Sequence, residues 1–280
     1  MIFSAKRKKI KLNMPGFGLS LGFSLSYITF LILIPVSALV LFSIKMPFSE
    51  FFRIISDERS VAAFKVSFLS AILAALTNFV FGFVIAWILA RYNFFGKKII
   101  DACIDLPFAI PTAVAGISLA TIFSPEGFLG KLLLPFGISL GFSKAGIVIA
   151  LVFIGFPFVV RTVQPVIEEL DGTLEEAAAS LGASYFKIFA RVIFPSVLPA
   201  LIAGTAMAFA RGLGEYGSVI FISSNMPYET EIVPLLIVKK LLQFDYVSAS
   251  AIGLTMIIIA FFMLFVVNFI QNYFMPRRSL

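Results

Sequence analysis

The chain has 280 residues, 60% hydrophobic and 13% charged, with a mean hydropathy of +1.04. A water-soluble domain carries about 25% charged residues, and a soluble fold of this size could not hide so much apolar side chain. The net charge of +7 has no hydrophilic domain to carry it as a nucleic-acid-binding face, so it reads as membrane topology; the lone Cys103 excludes an intrachain disulfide.

Residues 1–18 form a basic segment, with Lys6, Arg7, Lys8, Lys9 and Lys11 ahead of the first apolar run. That run is too long for the core of a signal peptide and no small-residue cleavage site follows it, so it is read as a retained helix. Six stretches meet or approach the roughly 20 residues a helical crossing needs: 19–44, 61–90, 99–123, 145–163, 192–211 and 247–273. The expected fold is all-α and polytopic, a single membrane domain over 19–275 without internal repeats or low-complexity linkers. With an even number of crossings both termini share a side. That side holds thirteen of the 22 Lys and Arg, in the N-terminal run, at Arg91, Lys97 and Lys98, at Arg161, Lys187 and Arg191, and at Arg277 and Arg278. Seven fall opposite, and Lys65 and Arg211 lie within spans. The excess predicts cytoplasmic termini.

In the third stretch Pro107 and Pro111 interrupt the helix. Backbone groups freed in lipid must be satisfied by protein or by a water-lined cavity, so the break serves either packing alone or a pathway. Asp101 and Asp105 stand at i,i+4 just before it, where Lys97 and Lys98 are the expected structural partners.

Between spans four and five, the loop over 166–195 is more than a connector. Thr173 with Glu176 three residues later has the capping-box spacing, which predicts a helix from Leu174. Glu175 and Glu176 then complement the exposed amides of its first turn. Ala177, Ala178 and Ala179 favour helix and leave little bulk, and Gly182 suits a left-handed C-cap. Such a helix is either a solvated surface element or a face for close approach by another protein. Glu176-Ala177-Ala178, three residues, Gly182, nine residues and Val192-Ile193-Phe194-Pro195 resembles the EAA loop of ABC importer permeases, with Val192 and Phe194 where that family has Ile and Leu. The resemblance implies a type I importer permease fold. It makes Glu176, Ala177, Ala178, Gly182 and Pro195 parts of a coupling helix and its flank, docked on a separate ATPase.

The likeness extends over about 64–268. Ala210-Arg211-Gly212-Leu213-Gly214-Glu215-Tyr216-Gly217-Ser218 is similar to a segment of oxyanion permeases, with Tyr216 and Ser218 in place of Phe and Ala. Leu106 to Gly116 resembles the proline-broken third span of the same group. Phe244-Asp245-Tyr246 with Ser248 to Ile252 is similar to the T-type permease subunit of sulfate/thiosulfate importers. That membership implies a multi-pass protein of the bacterial inner membrane that carries sulfate, with thiosulfate as a possible second cargo. The implied partners are a W-type permease, an ATPase dimer holding ATP and magnesium, and an extracytoplasmic sulfate-binding protein. It implies no cofactor on this chain, which contains no P-loop sequence of its own.

Arg211 and Glu215 stand one helical turn apart at the end of span five. One reading is an ion pair at a helix end. The other places Arg211 beside the anion pathway, with Gly212, Gly214 and Tyr216 shaping the segment and Pro107 and Pro111 opening span three. A secondary anion transporter would call for intramembrane carboxylates, a histidine relay or repeats, and an enzyme for a catalytic constellation; the sequence carries neither set. A molybdate or tungstate permease is the alternative within the family.

Overall fold

The computed structural model describes residues 16–274. The basic run Lys6–Lys11, together with Arg277 and Arg278, lies outside the described residues. Among the described residues six helices are long and apolar enough to cross a membrane. The chain divides into two units, residues 1–47 and the remainder.

The first unit holds α1 (Phe17–Ile44). A wide π turn at Thr29–Leu33 precedes Pro35, which has no N–H to give to the turn before it. Leu19, Phe23 and Phe30 are exposed, as a helix facing lipid allows.

In the second unit, α2 (Phe48–Ile55) leads into α3 (Glu58–Arg91), which has 34 residues and is therefore about 51 Å long. Next come α4 (Lys97–Ile104), α5 (Leu106–Ala109), α6 (Thr112–Phe123) and α7 (Phe128–Leu133). The chain continues through α8 (Lys144–Glu168), α9 (Gly172–Ser180) and α10 (Tyr185–Leu213). It ends with α11 (Val219–Ile222), α12 (Val233–Leu242) and α13 (Tyr246–Phe274).

The third crossing is not the continuous stretch expected over 99–123. Pro107 falls in the first turn of α5, where its missing N–H is harmless, and Ile110 is pushed to an extended backbone ahead of Pro111. The membrane-length stretch accordingly starts at Thr112 and runs to Phe136. Span five begins seven residues earlier than the apolar run, because Pro195 sits in the turn after a π segment, Phe189–Ile193, and does not open the helix.

Helices α3, α8 and α10 form the core. Val159, Val160, Val163 and Val197 are fully buried there, with Leu89 from α3. Three glycines permit the close crossing. A Cβ on Gly82 would lie 2.8 Å from the Val159 side chain, one on Gly204 2.9 Å from the Val159 backbone, and one on Gly155 2.6 Å from Asn78. Small residues of this kind let helices approach where lipid supplies no hydrophobic drive between them. Asn78, 1% exposed, donates to the Val152 carbonyl at 3.2 Å, beside the stretch that Pro157 disturbs.

Candidate coupling helix and translocation site

Helix α9 is capped by Asp171, not by Thr173. The Asp171 carboxylate accepts the Thr173 N–H at 2.9 Å, and the helix starts at Gly172. The capping box does not form because Thr173 already lies inside the first turn and Glu176 is turned outward. The hydrogen bonds from the Thr173 backbone and hydroxyl hold the Asp171 carboxyl below its ordinary value. At the other end Gly182, at φ +81°, completes a Schellman turn. Its N–H reaches the Ala179 carbonyl at 2.9 Å and the Ala183 N–H reaches Ala178 at 3.1 Å.

The Arg91–Glu175 ion pair fastens this helix to the end of α3, and the same guanidinium lies 5.3 Å from the Trp87 ring centre. Ala178 packs inward with Leu170 and Ala183, while Glu176, Ala177 and Gly182 are exposed. Leu181, Tyr185 and Phe186 are 89%, 94% and 78% exposed, an apolar patch continuous in sequence with the helix. Pro195 is exposed and follows the π segment. Sequence reasoning missed Arg91 and the patch; the apolar residues just after Gly182 were the available signal.

At the other end of the core, Arg211 pairs with Glu215 at 2.7 Å. Glu215 is 2% exposed and also accepts the Ser218 N–H and hydroxyl at 2.9 and 3.1 Å, whereas the Arg211 side chain is 36% exposed. Gly212 faces Ala71 and Leu151 without crowding, Gly214 has open space, and Tyr216 packs on the core. The close approaches belong to two other glycines. A Cβ on Gly217 would sit 2.2 Å from the Thr112 hydroxyl oxygen, and one on Gly116 2.4 Å from the Ser218 carbonyl. The segment after Arg211 is thereby clasped to α6, and Pro111, the residue before Thr112, joins it. Pro107 does not; it lines an apolar cavity of about 600 Å³ with Cys103 and Phe156.

Asp101 and Asp105 pair with Arg161, not with Lys97 or Lys98. Both Asp105 oxygens are bound, at 2.8 and 2.7 Å, and Asp101 lies at 2.6 Å. The fork of an arginine matches a carboxylate in a way an ammonium cannot, and Arg161 ties the end of α4, just before the proline break, to α8. A second network lies between α3 and the chain before α12. Glu231, 1% exposed, accepts two bonds of 2.7 Å from Arg59 and one of 2.7 Å from Lys239.

Residues 79–280 match the family described as binding-protein-dependent transport system inner membrane component. The chain belongs to this family. It is 47% identical over 264 residues to the sulfate transport system permease protein CysT of Escherichia coli (strain K12), covering 94% of this chain and 95% of that one. It is 47% identical over 249 residues to the probable sulfate transport system permease protein of Chlorokybus atmophyticus, covering 89% and 87%. In structure it is similar to a bacterial ABC transporter involved in alginate import, with a TM-score of 0.76 at 18% identity over 92% of this chain and 96% of that one. The inward-facing MetNI methionine ABC transporter aligns with a TM-score of 0.60 at 14% identity, covering 82% and 100%. The fold is that of an ABC importer permease in a multi-pass membrane protein.

Proposed function

We propose that this chain is the membrane-spanning subunit of an ATP-binding-cassette importer that carries sulfate into the cytoplasm, energised by a separate ATPase. The observation that carries the reading is the near-full-length identity of 47% to sulfate permeases, and the anchored, doubly capped α9 supports the coupling part. In this reading the α9 end and both termini face the cytoplasm. Ala177, Glu176 and Gly182, with the Leu181–Phe186 patch, meet the ATPase, and Ala178 seats the helix on its own core. The partners are a W-type permease, two ATPase subunits and an extracytoplasmic binding protein.

The pathway runs beside Arg211. A dianion entering a low-dielectric passage needs a cation or oriented dipoles to offset lost hydration. Arg211 stands at the level of Ala71 and Leu151, and a third of its side chain is uncovered. The test is uptake of labelled sulfate into vesicles carrying the assembled complex with its binding protein. Sulfate uptake that thiosulfate competes with and molybdate does not is the expected result. Uptake of molybdate in preference to sulfate would move the chain to the molybdate and tungstate permeases.

A further inference from the structure

A cavity of about 1010 Å³ in the second unit opens between α3 and α8 at the end away from the coupling helix, and nothing in the transport reading uses it. Val61, Val66, Leu69, Leu73, Val148 and Ile149 make it mainly apolar. Its rim carries Lys65, Lys144 and Tyr228 with a single carboxylate, Glu58, leaving one positive charge in excess. Among the described residues neither lysine has an ion-pair partner.

Their depth follows from helix length. Trp87, stacked under Arg91 beside the coupling helix, marks one membrane interface. A hydrocarbon core of about 30 Å takes about 20 helical residues, which counted back from Trp87 reaches Ser67. Lys65 lies just beyond, and Lys144 is the first residue of α8. Both ammonium groups are at headgroup level, above an apolar floor at acyl-chain level.

We propose that this groove binds an acidic phospholipid, with its phosphate between Lys65 and Lys144 and its acyl chains along Leu69, Leu73 and Val148. A free oxyanion is the poorer occupant, because it would meet the same two lysines and cover none of the apolar floor at Leu69, Leu73 and Val148. A zwitterionic lipid would leave the excess positive charge unanswered. The site depends on the depth of the groove and not on which anion is transported.

The test is lipid retention by the full chain in its assembled complex. The complex is reconstituted in nanodiscs containing phosphatidylglycerol and phosphatidylcholine, extracted into mild detergent, and its bound lipid is measured by mass spectrometry. The native chain should retain phosphatidylglycerol over phosphatidylcholine. Lys65→Gln and Lys144→Gln should each weaken retention about fivefold, and the double variant roughly 30-fold. Leu69→Trp, which fills the groove and leaves the charge alone, should also lower it. Equal retention of the two lipids, or unchanged phosphatidylglycerol in the double variant, overturns the proposal. So does quantitative cross-linking of Leu69→Cys, in a Cys103→Ser background, to a helix of another subunit. Sulfate uptake is measured in parallel, so loss of lipid with intact transport separates this site from the permease reading.

Discussion

One oxygen of Glu215 is taken by Arg211 and the other by the backbone and hydroxyl of Ser218. The carboxylate is saturated and buried, and the arginine has donors to spare on its uncovered side. The two readings of the pair therefore part company in a double mutant. If Arg211 meets the anion, Arg211→Gln should lower sulfate uptake about 10–100-fold, the range of one charge-assisted hydrogen bond, and Arg211→Gln/Glu215→Gln should not recover it. If the pair only closes a helix end, two neutral amides should restore most of the activity. Uptake normalised to assembled complex decides between them. The likeness of Ala210–Ser218 to oxyanion permeases pointed at this segment in the sequence. The saturation of Glu215 was not legible there, because Ser218 offers no more local signal than any other serine.

At the scale of elements, α9 is held at both ends. Arg91 and Glu175 are each a little over a quarter exposed, so their pair contributes about 0.2–1 kcal/mol to stability, too little for its loss to prevent insertion. Its effect should appear in coupling. Arg91→Glu should insert normally and lose sulfate-stimulated ATP hydrolysis, and Arg91→Glu/Glu175→Arg should regain much of it; failure of the exchange to rescue would reduce the pair to a surface contact. A Cβ on Gly182 would meet no atom of this chain within 4 Å, so within the chain substitution acts through the backbone alone. Gly182→Val places a β-branched residue in the left-handed region at about 1–2 kcal/mol. It should uncouple the ATPase more than Gly182→Asn, which that backbone tolerates, and the difference between the two measures the strain apart from the contact with the ATPase. The capped end was readable because glycine marks a left-handed turn. The start was misplaced by two residues because Asp171 and Thr173 both suit a cap, and the helix takes the earlier one. The partner of Asp101 and Asp105 was hidden by distance along the chain: Arg161 is 60 and 56 positions off, while Lys97 and Lys98 lie close by.

Across the whole molecule, the spans were legible because lipid permits so few solutions for the backbone. The contacts that join distant parts of the chain were not, and among the ion pairs of the described residues the Glu231 network reaches furthest, 172 positions to Arg59. Burial opposes ionisation of Glu231, but hydrogen bonds and charge from Arg59 and Lys239 outweigh it and hold the carboxyl below its ordinary value of 4.5. A depressed carboxyl stabilises the fold above its unfolded value, and that contribution is lost as pH falls through the folded one. Protease cleavage near Asn225–Tyr228 should therefore accelerate below about pH 4.5 in the native chain. Glu231→Gln should show the faster cleavage already at neutral pH, with about 1–3 kcal/mol lost; a native chain insensitive to acid in this loop would remove the network from the account. The clasp at Gly116 and Gly217 has a different consequence, one of time. Exposed side chains change rotamer in picoseconds to nanoseconds, whereas packed helices shift in microseconds to milliseconds. Because Arg211 is joined through Glu215 and Ser218 to a segment that cannot part from α6 without opening two contacts already closer than a Cβ allows, it cannot turn on the faster clock. Spin labels at Met207 and Val114, both exposed, should keep one distance through the transport cycle while each moves against the coupling helix, so that any gate at Arg211 opens at the pace of a helix.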